Sequence, residues 1–257
     1  MIYTKNSAQI QLMRDAGKLL HEVLEALKPM IQVGATTNEI DTEAEKLIRG
    51  AGAIPSFKGY DGFPATICAS VDDVVVHGFP CDEPLKEGQL VSIDCGLILN
   101  GWQADSAFSA PVGKTSKQVE KLMRVTEECF WLGAQQAREG NRLGDIGWAI
   151  QKHAEENGYG VIRDLCGHGI GTEMHEDPSV PNYGKPGKGV RLCEGMTIAI
   201  EPMISMGTWK VYIGENDWSV ITRDHSVCSH YEHTIAVTKG DPEILTFPGA
   251  SVMEALR

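Results

Sequence analysis

The stretch LKEGQLVSID at 85–94 returns as LCEGMTIAIE at 192–201, with Leu, Glu, Gly, Ile and a terminal carboxylate in common. Gly34–Ile40 returns as Gly140–Ile146 at nearly the same offset. Two matches at nearly one offset point to duplication, and a duplicated chain has few ways to fold. The expected solution is a single domain of two αβ halves, about 1–112 and 113–257, closed around a pseudo-two-fold axis. Asp94 and Glu201 then end equivalent strands and face one another across the centre.

Periodicity gives each half the same order of helix, helix, strands. Residues 7–28 read as an amphipathic helix capped by Ser7, with Ile10, Met13, Leu20, Leu24 and Leu27 at helical spacing and Pro29 ending it. Thr36 and Glu39 are placed as a capping box for a second helix. Its apolar side is Ile40, Ala44, Leu47 and Ile48, and Gly50 and Gly52 close it. Strand-like runs follow at 65–70 and 90–99. The second half offers helices at 116–138 and about 142–157. No low-complexity linker interrupts the chain.

Composition excludes several functions. A formal net charge of −12 over 257 residues disfavours nonspecific binding to nucleic acid or anionic membrane. No apolar run reaches the roughly 18 residues of a membrane span. The start, MIYTKNSAQI, lacks the apolar core of a secretory signal. The 7 cysteines form no CxxC pair and read as reduced thiols, so a cytoplasmic location is expected.

The chemistry lies in acids set among apolar residues. Asp94 ends the run LVSID, Asp105 follows eleven residues later as in the next strand of a hairpin, Glu201 follows MTIAI and Glu232 precedes TIAV. One such acid alone reads as a turn residue or a paired surface charge; four, two per half, do not. Buried carboxylates need a counter-charge, and Arg and Lys are scarce near these runs. Divalent metal is the expected partner, and a mostly oxygen shell with one imidazole suits two carboxylate-bridged ions. In GHGIGTEMHEDPSV, residues 167–180, the glycines make a helix improbable and the backbone is expected to be irregular. Either His168 or His175 completes the shell, and the other is free to hydrogen-bond substrate. His21 and His153 read as surface residues. His230 and His233 flank Glu232, and both are expected to point away from its side.

The set Asp94, Asp105, His168, Glu201 and Glu232, with HGFP at 77–80, GHGIG at 167–171, MTIAIEP at 196–202 and YEHT at 231–234, closely resembles the methionine aminopeptidase family in its short bacterial type I form. The resemblance covers nearly the whole chain. It implies an α+β pita-bread fold around a dinuclear site holding two divalent ions (Co, Mn, Fe or Zn). It implies removal of the initiator methionine from nascent polypeptides when the second residue is small, by attack of metal-activated water on the first peptide bond. Carried over by position, Asp94 chelates one ion, Asp105 and Glu232 bridge both, and His168 with Glu201 complete the other. Glu201 also handles the proton, His175 reaches the substrate carbonyl, and His77 contacts the scissile amide. Tyr60, Phe63, Cys68 and Trp218 match the methionine side-chain pocket, while Phe57 and Met174 depart from it, standing where Cys and Phe are common. A monovalent-cation loop falls on Asp72, Val74 and Cys228, with Cys228 where Ser is usual. The resemblance further implies a monomer, a transient ribosome contact, and no nucleic-acid or membrane partner. Two rivals share the fold: a proline-specific aminopeptidase or creatinase-like hydrolase, and a binding module that has lost its ligands.

Overall fold

Asn6, not Ser7, caps the first helix, α1 (Ser7–Leu27), in the computed structural model, which describes residues 1–256. The extended Asn6 backbone turns its side-chain oxygen onto the Gln9 N–H at 3.0 Å, while the Gln9 side chain answers at 2.9 Å. A 3-10 turn at Lys28–Met30 ends the helix at Pro29. The Thr36–Glu39 capping box opens α2 (Thr37–Gly50) where the spacing requires it. Ile40, Ala44 and Ile48 are buried and Leu47 sits half-buried at the edge of that face. In the second half α3 spans Lys117–Gln136 and α4 spans Leu143–Glu156.

The helices cover one face of a nine-stranded sheet. Its strands are β1 (Ile54–Pro55), β2 (Ile67–Val71), β3 (Leu90–Leu99), β4 (Trp102–Pro111), β5 (Gly167–Gly169), β6 (Glu176–Val180), β7 (Thr197–Ile200), β8 (Glu232–Ala236) and β9 (Glu243–Ile244). The order is β1-β3-β4-β8-β7-β5-β6, with β2 also on β3 and β9 on β8, and every pairing is antiparallel. Two three-stranded sheets flank it. One joins Val74–Val76, Val211–Ile213 and Val220–Thr222; the other joins Gly160–Val161, Met203–Ser205 and Cys228–His230.

Strand alternation decides which residues meet the helices. Val91, Ile93, Cys95 and Leu97 of β3, with Ala104 and Phe108 of β4, pack against α1 and α2. Ile198 and Ile200 of β7 and Ile235 of β8 pack against α3 and α4. The alternate residues, Asp94, Asp105 and Glu232 among them, are left on the opposite face. Among the described residues, no helix is long and apolar enough to cross a membrane.

Candidate active site

Strand register sets the acids in two rows across that helix-free face. In the first row Cys68 pairs with Asp94, Asp94 with Ala107, and Ala107 with Glu232. His233 pairs with Ile200, so Glu201, the next residue, comes opposite Glu232. In the second row Gly96 pairs with Asp105, whose N–H donates to Thr234 Oγ1 at 3.1 Å. Thr234 pairs with Ala199, and the Gly169–Ile198 pair brings His168 beside Ala199. Ala107, Gly96 and Ala199 are small, so the space above them stays open between the acids.

Asp94 does not end its strand, as the sequence suggested; β3 runs on through Gly96 to Leu99. Glycine at 96 allows this, because a Cβ there would lie 2.8 Å from Met174 Cε and 3.0 Å from Phe57 Cε1. The strand therefore passes directly beneath two side chains that line the cleft.

The site residues hold polar atoms that the protein itself does not satisfy. Asp94 Oδ1, Asp105 Oδ1, Glu232 Oε1 and His230 Nε2 are buried without a hydrogen-bond partner. Native interiors leave only a few such atoms scattered over a whole domain, so four clustered in one place call for a missing partner. Donor atoms from Asp94, His230 and Glu232 lie within 4.8 Å of one another, as do those from Asp105, His168 and Glu232. The two groups share Glu232. His168 Nε2 is also 3.8 Å from Glu201 Oε1. Carboxylate oxygens and imidazole nitrogens in this arrangement fit divalent ions.

Without a counter-charge the acids are forced toward their neutral forms. Burial raises Asp94, Asp105, Glu201 and Glu232 above the usual carboxylate range, and mutual repulsion adds to it for Asp94, Glu201 and Glu232. Burial lowers the histidines instead: His168 falls below its ordinary value and His230 is pushed down to about 3. Neutral imidazoles beside carboxylates are the form in which both bind metal.

His230 corrects the sequence reading. It stands two residues before Glu232, so alternation puts the two on the same side, not on opposite ones. Its Nε2 is 3.6 Å from Glu232 Oε2. His233, adjacent to Glu232, does point away, into a buried nest with Ser106 Oγ, Thr246 Oγ1 and Tyr231 Oη at 3.0, 2.9 and 3.1 Å. His21 and His153 are half-buried, not free on the surface: His21 stacks on Phe247 and His153 Nε2 is 2.7 Å from Glu128.

His175 rides on the turn between β5 and β6, its ring centroid 4.4 Å from that of His168. His168 itself belongs to a short strand, β5, so the irregular backbone is confined to the turn after it. Glu176 pins the turn by accepting the N–H groups of Thr172 and Glu173 at 3.0 and 3.4 Å. Lys5 Nζ neutralises that carboxylate at 2.6 Å, in an ion pair nearly closed to solvent. Tyr60 Oη meets His175 Nδ1 at 2.8 Å. Burial, with His168 adding, pushes His175 down to about 4. His77 is also held below its ordinary value by burial. Its backbone is left-handed at φ 59°, a conformation costly for a non-glycine residue and common at functional sites.

Above the acids lies a cleft of about 270 Å³, walled by Phe57, Tyr60, Phe63, Cys68, Met174 and Trp218, with His77, His175 and Asp61 at its sides. Phe63 meets Trp218 and Phe79 edge-on, both at 5.3 Å, so the wall is rigid aromatic surface backed by a buried thiol. Every residue expected to bind the divalent ions or the substrate is thus brought to one place, while the expected cation loop at Asp72, Val74 and Cys228 lies outside the cleft's lining. His230, Asp61, Phe79 and the Lys5–Glu176 pair were not expected. For His230, the two-residue offset from Glu232 was the available signal.

Residues 11–239 match metallopeptidase family M24. The chain is 51% identical over 247 residues to a methionine aminopeptidase of Clostridium acetobutylicum, covering 96% of this chain and 99% of that one. The crystal structure of methionine aminopeptidase from Rickettsia prowazekii superimposes with a TM-score of 0.95 at 41% identity, covering 96% of this chain and 100% of that one. A prolidase structure from Pyrococcus horikoshii shares the fold alone, with a TM-score of 0.78 at 23% identity, over 97% of this chain and 65% of the prolidase.

Proposed function

The chain belongs to metallopeptidase family M24, among the short bacterial type I methionine aminopeptidases, and from that premise we infer how this site removes an N-terminal methionine. The activity is metal-dependent hydrolysis. The reading of its parts rests above all on one observation: two overlapping groups of carboxylate and imidazole donors share Glu232 at the floor of a cleft with aromatic walls, and four of the donor residues hold a buried atom without a partner. Asp94, Asp105, His168, Glu201 and Glu232 hold two divalent ions, drawn from Co, Mn, Fe or Zn. When bound, the ions lower the pKa of water and polarise the scissile carbonyl.

The protein's own groups do the rest. Phe63, Cys68 and Trp218 take the methionine side chain, a soft thioether suited to aromatic and sulfur walls. Glu201 accepts the proton of the attacking water and passes it toward the leaving amine. The Tyr60 hydroxyl donates to His175 Nδ1, which leaves the Nε2–H of a neutral imidazole to donate to the developing oxyanion. His77 holds the scissile amide nitrogen. The second residue must then be small, because its side chain meets the cleft mouth between His77 and His175.

A monovalent cation at the Asp72, Val74 and Cys228 loop belongs to the same reading, supported by the Cys228 N–H donating to the Asp72 carbonyl at 2.8 Å. So do two duplicated halves within one domain, a cytoplasmic monomer, and a transient ribosome contact. Metal-free protein titrated with Mn²⁺, Co²⁺, Fe²⁺ or Zn²⁺ while hydrolysing Met-Ala-Ser tests the core of it. Activity should appear as the second ion is taken up. Full activity in the metal-free sample overturns the two-metal reading, and cleavage of Ala-Pro peptides in preference to Met-Ala-Ser overturns the substrate.

A further inference from the structure

We propose that His230 is itself a metal ligand, giving the ion held by Asp94 an imidazole of its own. The proposal rests on the dinuclear reading above and adds a ligand to it. His230 is 1% exposed, and its Nε2 has no hydrogen-bond partner. A buried polar nitrogen left unpaired is costly, and native proteins retain one where something else satisfies it.

The distances identify what that is. Nε2 stands 3.6 Å from Glu232 Oε2 and 3.9 Å from Glu201 Oε2. Both are too long for hydrogen bonds. The Glu232 distance suits donors arrayed around a shared ion, since two ligands each about 2.1 Å from a tetrahedral metal lie about 3.4 Å apart. Together with Asp94 and Glu232, His230 forms a group whose donor atoms lie within 4.8 Å of one another.

The backbone holds the imidazole ready. Met203 pairs with His230 on one side, and on the other Ser109 Oγ accepts the His230 N–H at 3.1 Å and donates to its carbonyl at 2.8 Å. The position two residues before Glu232 aims it over the same face. His168 then serves one ion and His230 the other, and the extra nitrogen favours Zn, Fe and Co over Mn.

X-ray absorption on the unaltered protein loaded with two zinc ions tests this without any substitution. Scattering equivalent to about one imidazole per zinc is expected, and half of that, from His168 alone, overturns the proposal. Zinc competition against a chelator gives a second test. In His230→Gln one of the two ions should bind about a hundredfold or more weakly, since even outer hydrogen-bond partners of metal ligands are worth ten- to hundredfold. Unchanged affinity for both ions, in a variant that melts like the parent, overturns it. A parent that takes up fewer than two zinc ions overturns the dinuclear premise and the proposal with it.

Discussion

Tyr60 Oη lies 2.8 Å from His175 Nδ1, joining the rim of the cleft to the imidazole proposed to face the substrate carbonyl. The sequence placed Tyr60 only in the side-chain pocket; on the proposed reading its hydroxyl has a second task, setting which nitrogen of His175 carries the proton. Tyr60→Phe keeps the ring and removes that bond. A net hydrogen bond of about 1 kcal/mol corresponds to roughly a fivefold fall in kcat. His175→Ala should cost on the order of a hundredfold or more, as loss of an oxyanion donor does. Both variants should keep normal metal content. If Tyr60→Phe lowers kcat by the same factor in the His175→Ala background, Tyr60 does not act through His175.

Asp105→Asn tests the bridge. An amide is nearly the same shape as the carboxylate but supplies no negative charge, and Asp105 is 4% exposed, so solvent does little to replace it. Metal analysis should find at least one ion lost and activity nearly abolished. His168→Ala should also lower metal content, in contrast to His175→Ala. Should His175→Ala empty the site while His168→Ala leaves it full, the roles of the two histidines are reversed.

Much of this was legible because register and spacing are local. The strand 90–99 was visible as an apolar run, and the Thr36–Glu39 capping box as a pair of residues. The hairpin carrying Asp94 and Asp105 was legible in the same way, whereas the two rows of acids also need the distant pairings of Ala107 with Glu232 and of Ile200 with His233. What escaped depends on contacts between distant segments. Asp94 read both as a strand end and as part of the run 90–99; that the run is one unbroken strand depends on Gly96 passing beneath Met174 and Phe57. Lys5 and Glu176 carry no mark of being partners until the fold brings them to 2.6 Å. His230 was different, since the period-two rule that placed His233 correctly also places His230 beside Glu232.

His233 makes stability depend on pH. Burial pushes it down to about 3, from an ordinary value of 6.5. Below pH 6.5 the unfolded chain therefore takes up a proton that the folded one refuses, and folding stability falls with pH until the folded form titrates near 3. His233→Asn removes this dependence. The stability of the parent relative to the variant should fall as pH drops through that window, with a slope approaching about 1.4 kcal/mol per pH unit. Denaturant unfolding of both proteins in excess chelator checks it. Parallel pH profiles would mean that His233 is protonated in the folded protein.

Specificity at the second residue follows from the cleft's shape. On the proposed reading its volume of about 270 Å³ is shared between the methionine side chain and the peptide beyond it. His77 stands on a left-handed backbone and His175 follows a turn pinned by Glu176, and both sides of the mouth are taken as fixed. A β-branched side chain at the second position must displace the carbonyl, and a misplacement of about 1 Å can cost on the order of a hundredfold in rate. Met-Ala-Ser should be cleaved efficiently, and kcat/KM for Met-Ile-Ser should be lower by about that factor, chiefly through kcat, because the methionine still finds its pocket. Equal kcat/KM for the two peptides would show that the walls at His77 and His175 move, and that the small-residue rule does not govern this site.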